Sequence, residues 1–269
     1  MPTLELPYIA PYAWDYHVRF YQWYAVRPVE TMTADLYTRD FMWAGATGRV
    51  EVRCDAAGER LIATYTHPHK GAKAYLRQRL THLFDLGHNP AISAEALHRV
   101  PHFKQLQQRH PGVRLPTGFD PWESALSVIL GQLIGIKQAQ QLLTELLSRP
   151  EAHSPEGLAN LDLAFLKTTG IKKLALHNLA RAVVEGQVDL TGAQPLADFE
   201  RALLALKGIG PWTASSMAMR CLGHCAAFPA KDLVVARALA TLPKGTADAI
   251  APYRGYLTAL LWRHYAMTD

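Results

Sequence analysis

Cysteine is scarce in this chain. Only Cys54, Cys221 and Cys225 occur in 269 residues. Three scattered thiols cannot form the disulfide framework that stabilises small secreted domains. Cys221 and Cys225 lie four residues apart with no second pair, so core or surface cysteines are a better interpretation than a zinc site. The composition therefore favours a protein of a reducing compartment.

Long apolar runs are also missing. No stretch approaches the roughly 18 uninterrupted apolar residues that a membrane-spanning helix needs. The first ten residues carry no basic segment of the kind that begins a secretory signal. From these two absences we expect a soluble, intracellular protein.

Charged residues are only moderately frequent. They make up 19% of the chain, against 49% apolar residues, which is typical of a globular protein with a large core. Basic residues outnumber acidic ones by 28 to 23, which gives a net charge of +5. This excess weakly favours a polyanionic partner.

The pattern along the chain predicts an α+β fold. Residues 40–43, 49–54 and 61–66 read as strands of an antiparallel sheet, and residues 14–26 read as one helix packed on that sheet. From about residue 74 the pattern is almost wholly helical. We expect an N-terminal α/β domain over residues 1–90 and a helical domain over 91–269. The helices predicted from residue 74 onward cover residues 74–86, 93–100, 121–147, 171–185, 196–206, 212–221, 233–242 and 256–265.

A short motif joins two of these helices. Residues 206–214 read LKGIGPWTA, in which one helix runs into Gly-Ile-Gly and the next helix begins at once. Gly208 and Gly210 allow a sharp turn and a close approach to a ligand, and Ile209 can fill the space between the helices. The sequence predicts a helix-hairpin-helix.

Such a hairpin suits a phosphate group. The free N–H groups at the start of the second helix, up to Thr213, point outward, and Lys207 adds a positive charge nearby. An ordinary helix end followed by a turn is the alternative. A dinucleotide-binding loop fits poorly, because a helix and not a strand precedes Gly208, and Thr213 stands where a third glycine is required.

A carboxylate follows the hairpin. Asp232 comes after a Pro-containing turn, at the start of an apolar helix, 22 residues beyond Gly210. This distance lets one helix and a return loop bring Asp232 back to the hairpin. A carboxylate there keeps its charge and can stabilise an oxocarbenium-like sugar while orienting water. A helix cap without catalytic work is the alternative.

These motifs together resemble the helix-hairpin-helix DNA glycosylase superfamily, specifically the bacterial 3-methyladenine DNA glycosylase II (AlkA-type) family. The likeness covers the hairpin, the turn at Asp232, the segment ALSVILGQLIGIKQA at residues 125–139 and the stretch PYAW at residues 11–14. It implies an α/β domain followed by a helical core of two lobes. The cleft between the lobes would take a base flipped out of DNA.

The resemblance also implies roles for single residues. Leu133 matches the residue that wedges into the gap left by the flipped base, and Gln132 lies beside it. A buried helix position is the alternative for Leu133. Phe20, Trp212 and Tyr253 match positions that line the family's aromatic base pocket, where flat rings attract a positively charged alkylated purine. A place in the core is the alternative for these rings.

The chain also departs from the superfamily pattern. Relatives that nick the strand carry a lysine where this sequence has Trp212, so a monofunctional hydrolase that uses water is implied. Three cysteines cannot hold the four-cysteine iron–sulfur cluster of other relatives, and we expect no cofactor. Ser216 replaces a pocket aromatic, which puts the substrate range in doubt. A monovalent ion at backbone carbonyls near Leu206 and Ile209 is a further implication.

The sequence therefore predicts a monomeric enzyme that acts on double-stranded DNA. It removes a damaged, alkylated purine and leaves an abasic site without cutting the strand. A non-catalytic DNA-binding module, in which Asp232 only caps a helix, is the alternative from another class of protein. Oxidised or mismatched substrates fit less well, because neither a lysine at position 212 nor four cysteines are present.

Overall fold

The computed structural model describes residues 1–267 and begins with a five-stranded antiparallel sheet in the order β1-β5-β4-β3-β2. The predicted strands are confirmed as β3, β4 and β5. Sequence reasoning missed the two edge strands, which have five and three residues and therefore give little periodic signal. The strands are β1 (Thr3–Pro7), β2 (Glu30–Met32), β3 (Tyr37–Trp43), β4 (Ala46–Asp55) and β5 (Arg60–Thr66).

A tight turn sets the register of the central hairpin. Ala44 and Gly45 both have positive φ, 49° and 74°, as a two-residue hairpin turn requires. Trp43 then pairs with Ala46, and the register continues to Tyr37 opposite Val52.

Twelve α-helices accompany the sheet in the described part of the chain. The α+β prediction is confirmed. α4 and α7 were not predicted, because α4 has mostly polar residues around Phe103 and Leu106, and α7 has only six residues. Two 3-10 helices span Pro150–His153 and Thr246–Ile250. The α-helices are α1 (Trp14–Tyr24), α2 (Ala72–Leu83), α3 (Pro90–Leu97), α4 (Pro101–Arg109), α5 (Pro121–Leu130), α6 (Ile136–Leu147), α7 (Pro155–Asn160), α8 (Gly170–Val184), α9 (Leu196–Leu204), α10 (Pro211–Arg220), α11 (Leu233–Leu239) and α12 (Arg254–Tyr265).

The prediction of one continuous helix over residues 121–147 is wrong. α5 begins as expected, with Asp120 as N-cap and Pro121 in the first turn. It ends at Leu130, and α6 begins only at Ile136. The break contains Gly131 and Gly135, and Leu133 within it has a left-handed φ of 56°. Apolar periodicity continues across the break, so the pattern concealed it.

The apolar side chains form two cores. The larger one joins the sheet to α1, α2, α5, α6 and the helices up to α10. The smaller one lies among α3, α4, α11 and α12 and includes Phe103, Val235 and Leu257. The two cores correspond to the two lobes that the resemblance implied.

Buried polar contacts join the sheet to the helical part. Arg39 of β3 donates a hydrogen bond of 2.6 Å to Glu123 of α5, and its guanidinium also lies 4.0 Å from Glu30. Tyr21 of α1 donates to the carbonyl of Thr117. Such contacts make the two parts interdependent, and the division at residue 90 stays a prediction.

Among residues 1–267, no helix combines the length and apolar character that crossing a membrane requires.

Candidate active site

A cavity of about 310 Å³ opens between the two cores. Side chains from six helices and from the break between α5 and α6 line it. Asp232, Trp212, Phe20 and Ser216, all singled out from the sequence, meet here. The complete lining is Phe20, Tyr24, Ser127, Val128, Gly131, Ile134, Ile136, Ala139, Gln140, Leu143, Trp212, Ser216, Arg220, Asp232, Leu233 and Trp262.

Asp232 is the N-cap of α11. Its Oδ1 accepts hydrogen bonds from the backbone N–H groups of Val234 at 3.0 Å and Val235 at 3.2 Å, and from the indole Nε1 of Trp262 at 3.1 Å. No donor among residues 1–267 contacts Oδ2. One oxygen thus fixes the carboxylate, and the other is left for a ligand. Asp232 therefore both caps α11 and lines the cavity.

Trp262 was not predicted from the sequence. It lies on α12, thirty residues after Asp232, and no local motif connects the two positions. Its ring stacks at 6.3 Å from that of Phe20, so one indole both holds the carboxylate and forms part of the aromatic wall.

The aromatic walls differ in accessibility. Phe20 lines the cavity but is only 1% exposed, because Tyr24 stacks on it at 4.6 Å. Trp212 is half-buried and faces the same space from the hairpin side. Trp212 and Trp262 are therefore the broader surfaces that a bound base can contact.

Tyr253 does not line this cavity. It precedes α12 as its N-cap, and its ring lies 6.4 Å from that of Tyr256, next to the smaller core. The structure thus brings Phe20 and Trp212 to the cavity with Asp232 and leaves Tyr253 outside it. Trp262 supplies the second indole instead.

A cation lies in the cavity wall. The guanidinium carbon of Arg220 is 4.8 Å from the ring centre of Tyr24 and 5.5 Å from that of Phe20. Burial raises the pKa of the Tyr24 phenol, the Arg220 charge opposes this, and the Asp232 charge adds to it. Trp212, Ser216 and Arg220 follow one another at four-residue intervals, so they share one face of α10. This four-residue spacing is visible in the sequence and could have placed Arg220 beside Trp212 and Ser216.

The predicted hairpin is confirmed between α9 and α10. Gly208 has a φ of 98°, and a Cβ there would come within 2.8 Å of Ala175, so only glycine fits. Ile209 is buried between the helices. At Gly210, by contrast, an added Cβ would meet open space, so this backbone is accessible to a ligand.

The hairpin surface carries one exposed lysine. Lys207 is exposed, and its carbonyl accepts a hydrogen bond of 3.0 Å from Asn178 of α8. The carbonyl of Leu206 accepts from the N–H of Ile209 at 3.0 Å and so takes part in the turn. Whether these carbonyls hold a monovalent ion stays a prediction.

Leu133 projects completely from the surface. Its relative exposure is 103%, and its φ of 56° lies in a region that costs a non-glycine residue about 1–3 kcal/mol. The buried-helix alternative is therefore wrong for Leu133. Strain and exposure in one apolar side chain are typical of a residue kept for contact with a ligand.

Gln132 connects the Leu133 break to the hairpin. Its Nε2 donates to the carbonyl of Gly208 at 3.1 Å and to Oγ1 of Thr213 at 2.8 Å. Thr213 is 3% exposed and its hydroxyl faces Gln132, and the phosphate contact expected at the start of this helix stays a prediction. Gln132 and Thr213 thus support the surface from within, and only their neighbours project from it.

A buried lysine supports the same break. Lys172 of α8 donates from Nζ to the carbonyl of Leu130 at 2.9 Å, and burial lowers the pKa of its ammonium group. Because Leu130 ends α5, this contact fixes the point where the break begins.

The described residues contain no cluster of metal-ligating side chains. No group of three or more His, Cys, Asp or Glu residues among 1–267 could hold an ion. Cys221 is buried and Cys225 half-buried, and burial raises the pKa of both thiols, which disfavours the thiolate that zinc binds.

Comparisons with known proteins agree with this architecture. Residues 3–120 match the family model of the AlkA N-terminal domain. The chain is 28% identical over 270 residues to DNA-3-methyladenine glycosylase 2 of Escherichia coli K12, covering 94% of each chain. It is 31% identical over 208 residues to the probable bifunctional transcriptional activator/DNA repair enzyme AlkA of Mycobacterium tuberculosis, covering 68% of this chain and 41% of that one. The solved 3-methyladenine DNA-glycosylase of Archaeoglobus fulgidus superposes with a TM-score of 0.81 at 17% identity, covering all of both chains.

The fold and the site together define a helix-hairpin-helix glycosylase architecture, with a carboxylate facing an aromatic cavity between two lobes. Within that class, the chain is similar to the AlkA-type 3-methyladenine DNA glycosylases, through its AlkA N-terminal domain and its alignment with the Escherichia coli enzyme. The family resemblance drawn from the sequence is confirmed.

Proposed function

We propose that this chain is a monofunctional DNA glycosylase, which extrudes a damaged, alkylated purine from duplex DNA and hydrolyses its N-glycosidic bond. The observation that carries the proposal is Asp232, with one oxygen held by three donors and the other free at the edge of a cavity sized for a base. One copy of the chain acts on one DNA site, in the cytoplasm and at the nucleoid.

Asp232 stabilises charge in the reaction. As the glycosidic bond breaks, the base departs with the bonding electrons and positive charge develops on the sugar. The fixed carboxylate is ready to stabilise that charge, because its hydrogen bonds need no rearrangement. Water then bonds to the sugar carbon and gives up a proton, and the product is an abasic site. Trp212 stands where strand-cleaving relatives carry an amine, so no Schiff base forms.

The DNA-binding surface is contiguous. Leu133, the turn at Gly210 and Lys207 project from adjacent segments that Gln132 ties together. Leu133 fills the gap in the base stack, while the N–H groups at the start of α10 and the charge of Lys207 contact phosphate. These contacts position the duplex without reading its sequence.

The decisive experiment compares Asp232→Asn with Asp120→Asn. Both residues cap a helix and accept two backbone N–H bonds, but only Asp232 faces the cavity. We expect the wild type and Asp120→Asn to release alkylated purines from methylated duplex DNA without cutting the strand. Asp232→Asn should bind the duplex normally and release bases at least about 10²-fold more slowly.

A different result would favour the alternative function. If no variant releases any base while all bind duplex DNA equally, Asp232 only caps α11 and the chain is a DNA-binding module. Strand cleavage by the wild type would instead contradict the monofunctional mechanism.

A further inference from the structure

Two buried polar groups in the cavity wall have no partner within residues 1–267. Ser216 is 2% exposed, and its Oγ forms no hydrogen bond. The Nε of Arg220 is buried and also lacks an acceptor. Leaving such groups unpaired costs free energy, so buried polar groups almost always have partners in folded proteins. Both side chains lie on the same face of α10, four residues apart, and both line the cavity that Asp232 faces.

The position of Arg220 is fixed by aromatic rings rather than by a counter-charge. Its guanidinium lies over Tyr24 and Phe20 of α1, and it forms no ion pair with a described carboxylate. The stack of Tyr24 on Phe20, 4.6 Å apart, supports it from behind. Arg220 therefore presents a fixed positive charge, without a directly paired carboxylate, to whatever enters the cavity that Asp232 also lines.

This charge affects which bases the cavity accepts. A purine methylated at N7 or N3 within DNA carries a formal positive charge, which a neighbouring guanidinium repels in a site of low dielectric. The faces of Phe20 and Tyr24 already contact a cation, so they add little attraction for a second one. A neutral purine with acceptors at O6 and N7 offers instead the pair of atoms that a guanidinium recognises best.

We propose that Ser216 and Arg220 form a polar subsite that reads acceptor atoms on the edge of the extruded base, and that Arg220 shifts the substrate range toward neutral 6-oxopurines, such as deaminated adenine, and away from cationic methylated purines. This inference rests on the proposed function. The bound base supplies the hydrogen-bond acceptors that the free protein lacks, because its O6 and N7 accept from the guanidinium and the Ser216 hydroxyl.

The test is the ratio of the rates of base release from two substrates. Base release is measured under single turnover from a duplex with one hypoxanthine and from a duplex methylated at guanine N7. We compare the wild type with Arg220→Met and Arg220→Gln. For Arg220→Met, the ratio of hypoxanthine release to 7-methylguanine release should fall at least tenfold. Arg220→Gln keeps a planar donor without the charge, so it should release 7-methylguanine faster while retaining more hypoxanthine release than Arg220→Met.

Ser216→Ala is a second, independent variant. Because the hydroxyl has no partner in the free protein, its removal should leave the thermal midpoint unchanged or slightly higher. Hypoxanthine release should nevertheless fall several-fold. A lower midpoint with an unchanged release ratio would show that Ser216 is only a packing residue.

Two controls separate a specificity effect from a general loss. Arg149→Met removes an arginine that stacks on Phe165, at 4.6 Å, outside the cavity, and should change neither reaction. Binding to a duplex with a tetrahydrofuran abasic analogue leaves the base cavity empty, so it should be the same for all variants.

The outcomes of the test are distinct. If the wild type releases bases but the ratio is unchanged in both Arg220 variants, the subsite is refuted and the glycosylase function stands. Equal losses of abasic-duplex binding and of both reactions would also refute it, since Arg220 would then be structural. If the wild type releases no base from either duplex, the proposed function itself fails.

Discussion

The indole Nε1 of Trp262 donates a hydrogen bond of 3.1 Å to Oδ1 of Asp232, across the gap between α12 and α11. A hydrogen bond to a charged group contributes about 1.5–3 kcal/mol. Trp262→Phe keeps an aromatic ring but loses the donor. We expect base release to slow about tenfold, because the carboxylate is less well fixed, while affinity for duplex DNA is kept. Single-turnover release and duplex titration measure the two quantities.

Trp122→Phe is the matched control for this prediction. Its Nε1 also donates to a buried acceptor, the carbonyl of Ala152 at 2.9 Å, but Trp122 lies outside the cavity. This variant should lose stability without slowing release. An equal slowing in both variants would mean that general stability, rather than the position of Asp232, limits the reaction.

Gln132 and Thr213 should be energetically coupled. The 2.8 Å hydrogen bond between them is part-buried, and removing either partner leaves the other unsatisfied. In a double-mutant cycle with Gln132→Ala and Thr213→Val, the two losses of unfolding free energy should fail to add by about 1 kcal/mol. Urea denaturation of the four proteins gives this value. Strict additivity would show that Gln132 acts only through its second bond, to Gly208.

Leu133 combines exposure with backbone strain, and the two effects can be separated. Leu133→Gly removes the side chain and relieves the positive φ, whereas Leu133→Ala removes the side chain alone. Both should slow base release. The glycine variant should be more stable than the alanine variant by about 1 kcal/mol, because the left-handed strain that glycine avoids exceeds the entropy that it adds to the unfolded chain. The measurement is chemical denaturation with a parallel release assay.

Met42→Ala serves as the control for Leu133, since Met42 is an exposed apolar residue of the sheet. It should change neither stability nor release appreciably. A loss of about 2–5 kcal/mol in Leu133→Ala would indicate a buried side chain and contradict the observed exposure.

His17 makes the fold sensitive to acid. It is fully buried among Tyr12, Tyr21 and Phe84, and neither ring nitrogen has a partner. Burial, with a smaller effect of the Arg114 charge, lowers the pKa of His17 from 6.5 to about 3. The unfolded chain therefore takes up a proton that the folded protein rejects. The stability from neutral His17 is complete above about pH 6.5 and declines as the pH falls toward 3, by about 1.4 kcal/mol per pH unit.

His17→Phe should remove this decline. The unfolding free energies of wild type and variant are measured from pH 7.5 to 4.5. Below pH 6.5, the value for the wild type should fall relative to that for the variant. Burial raises the pKa of Asp85 to about 6, so that carboxyl acts in the opposite direction, but it cancels in the difference. His69→Phe, at an exposed position, is the control. A difference that is constant with pH would contradict the assignment.

Much of the fold was predictable because its signals are local. The hairpin depends on Gly208, Ile209 and Gly210, and Asp232 stands beside the turn that it caps, so each motif can be read within a few residues. The three central strands and most helices follow from periodicity for the same reason. Strands β1 and β2 are short and take their stability from the neighbours they pair with, which no local pattern records.

The site was predictable in part. Asp232, Trp212 and the exposed Leu133 lie next to recognisable turns. Trp262 reaches Asp232 only through the packing of α12 against α11, and Tyr253 matched a pattern but folded toward the smaller core. The phosphate contact expected at Thr213 rests on the N–H groups that begin its helix and stays a prediction, whereas the inward turn of its side chain to Gln132 was not predicted. Which way a side chain points depends on tertiary packing, and a single sequence does not contain that information directly.

The position of helix α1 determines what an exchange of N-terminal segments between relatives would transfer. By sequence it lies within the segment that matches the AlkA N-terminal domain, yet Phe20 and Tyr24 form one wall of the cavity and the support of Arg220. A recombination event that exchanged the N-terminal segment between two relatives would therefore exchange part of the substrate pocket with it. A chimera joined after the sheet would carry a pocket of mixed parentage, and its choice of lesion would follow both parents.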